Sequence, residues 1–445
     1  MRTKPPPDGP AVRTTAVTAA DGARRAEILA CAAQLFASSG SAGTSLKDVA
    51  DACGILPGSL YHHFASKEAI LLELVVGYQS ELDAAGRAAI DRLDLDAAPD
   101  GPAAPFGPVL DLAAAIAGIA QRHRAALQVT MYEPPAGASL QFVPRSRRGP
   151  EAVDVAMAGL LRQAQDRALV GSGVDTAVLA RQLAESMRHV GLAILHGGPA
   201  EQVATASCHL LLYGIGQQQV DDAELNRSAA TAAADAAVRA WGEPDSAGPR
   251  DKAARLRSVA RAEFARRGYE ATTVRDIAAA AGLAAGSVYR LIGTKEALLG
   301  SIMNAFHDQL SAGYDAVLAT DATAPAQLDA LTWLNLNVLG RFGPELAIQA
   351  AWLRAVPPAA SDLRRPARRR AGQIAALVAD GLRAGRLRTG PVGSAPPPPE
   401  VLAACVRDLS WLPAWMVRQQ GARAALAHSR ATLIRGAAVR AERPC

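Results

Sequence analysis

The sequence predicts an all-α protein built from two similar helical units, and three observations support this prediction. Apolar residues recur at helical spacing through most of the 445 residues, and no segment shows the alternating pattern of a β-strand. Pro and Gly interrupt the amphipathic stretches where helices are expected to end. One segment near the amino terminus also reappears further along the chain, so the helices are expected to form two related units.

The internal repeat is clearest between residues 44–72 and 272–300, which align without a gap at an offset of 228. Twelve of the 29 aligned positions are identical. The repeat therefore predicts the same local fold twice. The identical residues include Thr44/Thr272, Asp48/Asp276, Gly54/Gly282, Gly58/Gly286, Ser59/Ser287, Tyr61/Tyr289, Lys67/Lys295 and Glu68/Glu296.

Composition limits the classes of function. Lys and Arg total 47 against 42 Asp and Glu, and this mild excess permits an anionic partner without requiring one. The five cysteines lack a CxxC spacing, so we expect neither a zinc site nor a disulfide framework, and we expect a reducing, cytoplasmic compartment. The amino-terminal sequence has no apolar leader, and no apolar run approaches the roughly 18 residues of a membrane span.

Each copy of the repeat predicts four helical pieces. In the first copy, residues 28–36 carry apolar side chains at helical spacing, and Gly40 ends this first helix. Residues 45–48 have the spacing of a capping box, which starts a short second helix. Gly54 turns the chain into a third helix, and residues 66–68 start a long fourth one. A helix, a glycine turn and a second short helix together form a helix-turn-helix.

Beyond each copy, amphipathic stretches predict a larger helical body. The candidate helices are 108–132, 149–170, 174–196 and 199–219 in the first body, and 323–342, 344–355, 366–388 and 399–419 in the second. A stretch rich in Gly and Pro follows Trp241, and we place the joint between the two units there. The predicted domains are a disordered arm (1–21), a first helix-turn-helix (22–75), a first helical regulatory domain (76–241), a linker (242–250), a second helix-turn-helix (251–303) and a second helical regulatory domain (304–445).

The string TSLKDVA, followed by Gly54, GSLYHHF and SKEA, resembles the DNA-binding domain of TetR-type transcriptional regulators. The second copy resembles it too, so the whole chain is similar to regulators that carry two TetR units on one polypeptide. The resemblance implies that each unit joins a DNA-binding head to a body for ligand binding and dimerisation. It also implies an intramolecular pseudo-dimer, with the two heads about one turn of B-DNA, roughly 34 to 36 Å, apart.

The resemblance places the DNA contacts around the third helix of each copy. The tyrosine donates to a phosphate, the lysine that begins the fourth helix approaches the same strand, and the other side chains face bases or backbone. For each of them the alternative is a packed or solvated side chain without a DNA contact. The predicted DNA-binding residues are Lys47, Pro57, Ser59, Tyr61, His62, His63 and Lys67 in the first head, and Arg275, Ala285, Ser287, Tyr289, Arg290 and Lys295 in the second.

The second head departs from the family pattern. Arg290, Leu291 and Ile292 replace the His-His-Phe of the first head, and Gly293 replaces Ala65. Two interpretations stay open: a DNA-reading head with a different sequence preference, or a head retained only for pairing. The basic residues of the amino-terminal segment likewise either follow DNA or form a solvated tail. These residues are Arg2, Lys4, Arg13, Arg24 and Arg25.

An apolar pocket with a few polar groups is expected between the body helices. By the resemblance, its ligand is a small hydrophobic effector, although each candidate residue has a core role as its alternative. The candidates are Tyr78, His123, Met131 and Met187 in the first body, and Phe306, Trp333, Trp352 and Trp411 in the second. No cofactor, metal site or catalytic constellation is expected, so we do not predict an enzyme.

The function predicted from these observations is a ligand-responsive transcriptional regulator, a repressor, that binds an asymmetric DNA operator as a one-chain pseudo-dimer. The alternative is a ligand-sensing or partner-binding scaffold in which only the first head is DNA-competent, so that two chains must pair to occupy a palindrome. Neither hypothesis involves a membrane.

Overall fold

The computed structural model describes residues 11–95, 106–131, 142–146, 148–195, 200–241, 252–269, 271–354, 364–391 and 395–439. Within these ranges, the β structure consists of two isolated bridges, Val170 with Ala438 and Gly216 with Leu387. The predicted all-α fold with two tandem units is confirmed. Among the described helices, none combines the length and the apolar character that a bilayer span requires.

The first half of the chain begins with the predicted helix-turn-helix and continues into a helical body. Its helices are α1 (Ala11–Gly43), α2 (Leu46–Ala52), α3 (Pro57–His63), α4 (Lys67–Leu95), α5 (Gly107–Arg122), α6 (Arg124–Met131), α7 (Phe142–Ser146), α8 (Glu151–Asp166), α9 (Thr176–Leu195), α10 (Ala200–Tyr213), α11 (Asp222–Arg227) and α12 (Ala229–Ala240).

The second half repeats this plan. Its helices are α13 (Lys252–Arg267), α14 (Val274–Ala281), α15 (Ala285–Ile292), α16 (Lys295–Leu318), α17 (Ala324–Arg341), α18 (Gly343–Arg354), α19 (Arg364–Arg383), α20 (Pro399–Leu409), α21 (Ala414–Gln420) and α22 (Ala422–Ser429), and a π-helix follows at Arg430–Ile434.

Three elements differ from the sequence prediction. The candidate helix 399–419 is two helices, α20 and α21, which are separated at Ser410 to Pro413. Helix α1 begins at Ala11, inside the segment predicted as a disordered arm, in an alanine-rich stretch that favours helix. The candidate helix 108–132 divides into α5 and α6, because the backbone of His123 leaves helical geometry between them. The His123 ring packs beside Tyr78, and its Nε2 lies 2.7 Å from the Glu81 carboxylate, so the break places this side chain against α4. The predicted linker 242–250 lies outside the described residues.

Helix α12 precedes the joint in sequence but packs against the second body. Its contacts are with α16 and α17, where the Trp333 indole donates a 2.8 Å hydrogen bond to Asp235 of α12. Trp241, which ends α12, packs its ring edge-on against Phe342. The chain therefore contacts its second body one helix before the residue at which the sequence analysis placed the boundary.

The two bodies meet through α9 and α10 of the first and α20 to α22 of the second. His428 Nε2 lies 2.8 Å from Gln182 Oε1 in the buried part of this interface. The guanidinium of Arg181 stacks on the Trp415 ring at 3.8 Å, and the Cys405 thiol contacts the carbonyl of Val203. Helices α9 and α10 of the first half and α20 to α22 of the second half are thus paired within one chain.

The carboxyl-terminal segment crosses back onto the first half and joins the halves through backbone hydrogen bonds. The amide of Ala437 donates to Leu211 O at 3.1 Å, and that of Ala438 donates to Leu212 O at 2.7 Å. Gly214 and Gly436 lie where the two backbones cross: a Cβ at Gly436 would lie 2.2 Å from the carbonyl carbon of Tyr213. Only glycine permits this approach.

Candidate nucleic-acid interface

The first head is held together by a small apolar core at which its four helices meet. Ile28 and Phe36 of α1, Val49 of α2 and Leu60 of α3 are fully buried or nearly so. Phe64, at the end of α3, is also buried, as the sequence pattern predicts for this aromatic. Because these side chains fill the core, the opposite faces of α2 and α3 remain available to solvent or to DNA.

Both heads start their second helix with the predicted capping box. Ser45 Oγ accepts from the Asp48 amide, and the Asp48 carboxylate accepts from the Ser45 amide at 2.7 Å. Thr273 and Asp276 form the same pair in the second head. The backbone amide of Ser45 lowers the pKa of Asp48, and the Thr273 hydroxyl and amide lower the pKa of Asp276 to about 2.

The predicted contact residues of the first head lie largely on its exposed face. Tyr61 is 56 % exposed, and so is Tyr289 at the same position of the second head. The remaining exposed residues among the predicted set are Lys47, Pro57, Ser59 and His62 in the first head and Arg275 and Arg290 in the second. The side chains of His63, Lys67, Ala285, Ser287 and Lys295 are half-buried.

Lys67 has partners that the sequence pattern did not reveal. Its ammonium donates to the carbonyl of Ser41 at 2.7 Å and to that of Thr44 at 3.0 Å. Ser41 lies in the last turn of α1, beyond the kink at Gly40, and Thr44 follows the helix, so Lys67 ties α4 to the segment before α2. An ammonium has three N–H donors, so one donor of Lys67 remains beyond these two carbonyls.

Arg25 lies in the head itself and contacts both α3 and α4. Its guanidinium pairs with Glu73, donates to the His63 carbonyl and stacks over the Phe64 ring at 4.2 Å. His63 in turn lies 3.2 Å from the carboxylate of Asp21 in α1. The sequence analysis placed Arg25 with the basic arm, and its tertiary partners could not be read from the local pattern.

In the second head, different side chains surround Tyr289, which is equivalent to Tyr61 of the first head. Arg290 is exposed, and its guanidinium donates to Ser287 Oγ at 3.3 Å on the outer face of α15. Lys295 lies 4.2 Å from the centre of the Tyr269 ring, in place of the backbone contacts of Lys67. The side chain of Ile292 lies outside the described residues.

The conformation of Gly293 explains one way in which the second head departs from the family pattern. Helix α3 ends on Phe64 in an extended conformation, whereas α15 continues to Ile292 and ends on Gly293 with φ of 74°. Its amide donates to the Tyr289 carbonyl at 2.9 Å. A positive φ favours glycine, so the replacement of Ala65 by Gly293 suits the longer third helix of the second head.

The candidate pocket residues of the first body are only partly brought together. Tyr78 is buried, its ring centre is 5.7 Å from that of His123, and burial raises its pKa to about 12. Met187 is also buried and contacts the Cys208 thiol. The side chain of Met131 lies outside the described residues.

A cavity of about 230 Å³ lies between α4, α5 and α8, away from the four candidate residues of this body. Its wall is mainly alanine and leucine, with Arg92, Asp111 and Gln163 as polar groups. The lining residues are Ala85, Ala88, Ala89, Arg92, Leu93, Pro108, Asp111, Leu112, Ala115, Leu160 and Gln163. Alanine spacing on α4 was the sequence signal that could have indicated it.

In the second body, the candidate aromatics contribute to the core. Phe306 is buried and packs on Phe342 with ring centres 5.1 Å apart. Trp333 is nearly buried against α12, and Trp411 is half-buried. The side chain of Trp352 lies outside the described residues.

Two segments of the chain match a single family model. Residues 28–74 and residues 256–302 each match the model described as bacterial regulatory proteins, tetR family. These are the two copies of the internal repeat, and each match covers one helix-turn-helix head. The resemblance stated from the sequence and the tandem arrangement are therefore confirmed.

Curated relatives are similar to this chain over a segment about as long as one helix-turn-helix head. The HTH-type transcriptional repressor KstR2 of Rhodococcus jostii (strain RHA1) is 49% identical over 65 residues, which is 15% of this chain and 32% of the relative. The HTH-type transcriptional regulator UidR of Escherichia coli (strain K12) is 40% identical over 52 residues, 12% of this chain and 26% of the relative. The chain thus matches about a third of the length of the first of these relatives and about a quarter of the second.

Among solved structures, the ketosteroid transcriptional regulator KstR2 of Mycobacterium tuberculosis is 28% identical to this chain, with a TM-score of 0.33. The match covers 41% of this chain and 89% of that structure.

Proposed function

We propose that this chain, which carries two tetR-family DNA-binding domains in tandem, is a transcriptional regulator that binds an asymmetric operator with two unlike heads. The observation that carries the proposal is the equal exposure of Tyr61 and Tyr289, each 56 % exposed on its third helix. A tyrosine retained only for packing would be buried. Both heads therefore offer the same polar group to a phosphate, while the residues beside it differ.

The neighbours of the two tyrosines support the asymmetry. His62 follows Tyr61 on α3, whereas Arg290 follows Tyr289 on α15, and both are exposed. An arginine that forks onto guanine O6 and N7 contributes about 1 to 3 kcal/mol of discrimination against the wrong base. We propose that the second half-site contains such a guanine and that the first does not require one.

We further propose that the regulator acts as a repressor and that a small hydrophobic effector releases it. KstR2 of Rhodococcus jostii is a transcriptional repressor, and the similarity of this chain to it supports repression here. The alanine- and leucine-walled cavity in the first body supports an apolar effector. A ligand that binds better to a body conformation with badly spaced heads lowers DNA affinity by the same coupling free energy.

Selection of random duplex DNA by the purified full chain tests the operator proposal, with the mass of the selected complex measured alongside. We expect two unlike half-sites, with centres about 10 base pairs apart, bound by one chain. A palindrome bound by two chains would instead support the alternative in which only the first head reads DNA. No enrichment would contradict DNA binding itself.

Filling the cavity tests the effector proposal. Ala89→Leu adds bulk to the cavity wall, whereas Ala84→Leu adds the same bulk to an exposed position of α4 that does not line the cavity. We expect Ala89→Leu to stay on the operator at effector concentrations that release the wild type and Ala84→Leu. Equal release of all three proteins would remove the cavity from the mechanism.

A further inference from the structure

Two arginines are buried among the described residues, and their partners differ in kind. Arg430 is 4% exposed, and its Nε and Nη2 each lie 2.8 Å from an oxygen of Asp329. Arg370 is 7% exposed, but its guanidinium donates to Ser311 Oγ at 3.1 Å and to His307 Nδ1 at 3.3 Å. No carboxylate of the described residues lies within 4.0 Å of Arg370.

The partners of Arg370 leave its charge uncompensated. Burial, followed by the nearby Arg370, lowers the pKa of His307 to about 4, so the imidazole is neutral at pH 7 and Nδ1 accepts. The adjacent Arg369 adds a second positive charge and is itself paired with Asp315 at 2.9 Å. Because a buried charge without a counter-charge is unfavourable, such a group calls for a partner of opposite charge.

Comparison of the two copies of the repeat places the environment of Arg370 in the second body. Helices α4 and α16 begin at equivalent lysines, and the same offset of 228 relates Gly86 to Tyr314. At Gly86 the backbones of α4 and α8 touch: a Cβ there would lie 2.4 Å from the carbonyl carbon of Ala152. At the equivalent position of the second body, the buried Tyr314 donates to Asn335 of α17 at 3.0 Å, and its ring centre lies 6.0 Å from the Arg370 guanidinium.

Two more groups beside Arg370 are suited to an amphiphilic ligand. Gln373, one helical turn along α19, has a buried Oε1 without a hydrogen-bond partner in the structure. On the other side, the His307 ring contacts Phe306, which belongs to an aromatic cluster with Phe342. The Gln373 Nε2 donates to Asp315 at 2.7 Å, so its Oε1 is the unsatisfied atom, and it lies near the buried aromatic residues of this body.

We propose that the second body binds an apolar molecule bearing a carboxylate, with the carboxylate on Arg370 and Ser311 between α16 and α19. A guanidinium has five N–H donors in a planar fork, of which two are used in the structure, and a carboxylate matches the remaining donors. The assignment of this molecule as the effector rests on the proposed function. The existence of the binding site does not depend on the proposed function.

Ligand binding to the full-length protein tests the proposal without DNA. The probes are dodecanoate and cholate, each compared with the corresponding alcohol, measured by calorimetry and by the shift of thermal unfolding at pH 7.5. We expect at least one carboxylate to bind, and its alcohol to bind about tenfold or more weakly, because a hydrogen bond to a charged group is lost. Failure of both carboxylates, or equal binding of carboxylate and alcohol, would overturn the proposal.

Variants of two neighbouring arginines locate the carboxylate. Arg370→Met should weaken binding of the carboxylate probe by about tenfold or more. Arg369→Met removes the same charge one residue away, from a side chain that is 55% exposed, and should leave the affinity within about twofold. Equal weakening in the two variants would show that net charge, not Arg370, attracts the ligand.

The stability of the ligand-free variants separates binding from folding. Arg430→Met leaves Asp329 buried and alone, so its unfolding temperature should fall markedly. Arg370→Met leaves only the neutral Ser311 and His307, so its unfolding temperature should stay near that of the wild type or rise. An equal fall in both variants would assign Arg370 to structure and reject the site. The DNA selection tests operator binding, and the ligand measurements without DNA test the carboxylate site. Either proposal can therefore fail while the other stands.

Discussion

Lys67 and Lys295 occupy the same position of the repeat, yet their ammonium groups contact different partners. Lys67 donates to two backbone carbonyls, and Lys295 lies over the Tyr269 ring. We expect Lys67→Met to lower the free energy of unfolding by about 1 to 3 kcal/mol, since two carbonyls lose a donor, and Lys295→Met to lower it less. Denaturant unfolding of the two variants measures the difference, and equal losses would contradict it.

The same lysines also test phosphate contact. If the third donor of Lys67 binds a phosphate, Lys67→Met reduces the slope of log affinity against log salt by about one. Titrations of the selected operator at several salt concentrations measure this slope. An unchanged slope with reduced stability would confine Lys67 to its role in folding.

Tyr61→Phe removes one hydroxyl from an exposed side chain and leaves the core of the head intact. We expect operator affinity to fall about two- to tenfold, by a similar factor for every operator sequence, because a phosphate contact carries no base preference. Tyr289→Phe provides the matched change in the second head. Full affinity for Tyr289→Phe alone would show that the second head does not contact DNA.

Single residues mark the limit of what the local sequence can predict. The repeat predicts where Tyr61 and Tyr289 lie, because their helix and its glycine turn are encoded within a few residues. It does not predict that Arg25 reaches Glu73 or that Arg370 lacks a carboxylate, since these facts depend on residues 48 and more positions away. Tertiary partners of long side chains therefore required the structure.

At the scale of helices, the capping boxes link sequence directly to stability. Thr273→Ala removes the acceptor of the Asp276 amide at the start of α14, and we expect the free energy of unfolding to fall by about 1 kcal/mol. The pKa of Asp276, about 2 in the folded protein, adds a pH dependence. Its contribution is present above the usual pKa of 3.8 and is lost as the pH falls towards 2.

Denaturant unfolding of Thr273→Ala at neutral pH measures the loss of the cap. Thr294→Ala is an informative comparison, because Thr294 caps α16 through the Ala297 amide without a reciprocal carboxylate. Unchanged stability in Thr273→Ala would show that the capping box does not stabilise the second head.

Helix positions were largely predictable, whereas helix partners were not. Apolar spacing, caps and glycines locate α9, α17 and α18 within two residues of their observed bounds. The same periodicity cannot tell which body a helix covers, because an amphipathic face fits many surfaces. Helix α12 illustrates this limit, since its apolar face packs on the body that follows it in sequence.

At the scale of the whole molecule, the crossing of Gly214 and Gly436 holds the two halves together. Gly436→Ala places a Cβ against the backbone of Tyr213, whereas Gly421→Ala places one in open space at a similar positive φ of 83°. We expect Gly436→Ala to lose about 1 to 3 kcal/mol more stability than Gly421→Ala, because only it overpacks the crossing. Equal losses in thermal or denaturant unfolding would show that the crossing tolerates a methyl group.

Acid should weaken the interface between the halves through His428. Burial lowers its pKa to about 4, against 6.5 for an exposed histidine, so the unfolded chain binds the proton first as the pH falls. Stability is therefore lost between pH 6.5 and 4, by about 1 to 2 kcal/mol from pH 7 to pH 5. His428→Gln should reduce this pH dependence, which denaturant unfolding at pH 7 and pH 5 measures, and an unchanged dependence would assign it to other groups.

The backbone hydrogen bonds between residues 437–438 and 211–212 also have a consequence for the number of molecules a cell needs. Two separate chains meet less often as they become scarce, so the paired fraction of an ordinary dimer falls on dilution. Halves joined by a short tether experience each other at an effective concentration of roughly millimolar, whatever the copy number. On the proposed one-chain mode of binding, occupancy of a sparsely filled operator would rise in simple proportion to the number of chains, whereas that of an ordinary dimer would rise more steeply.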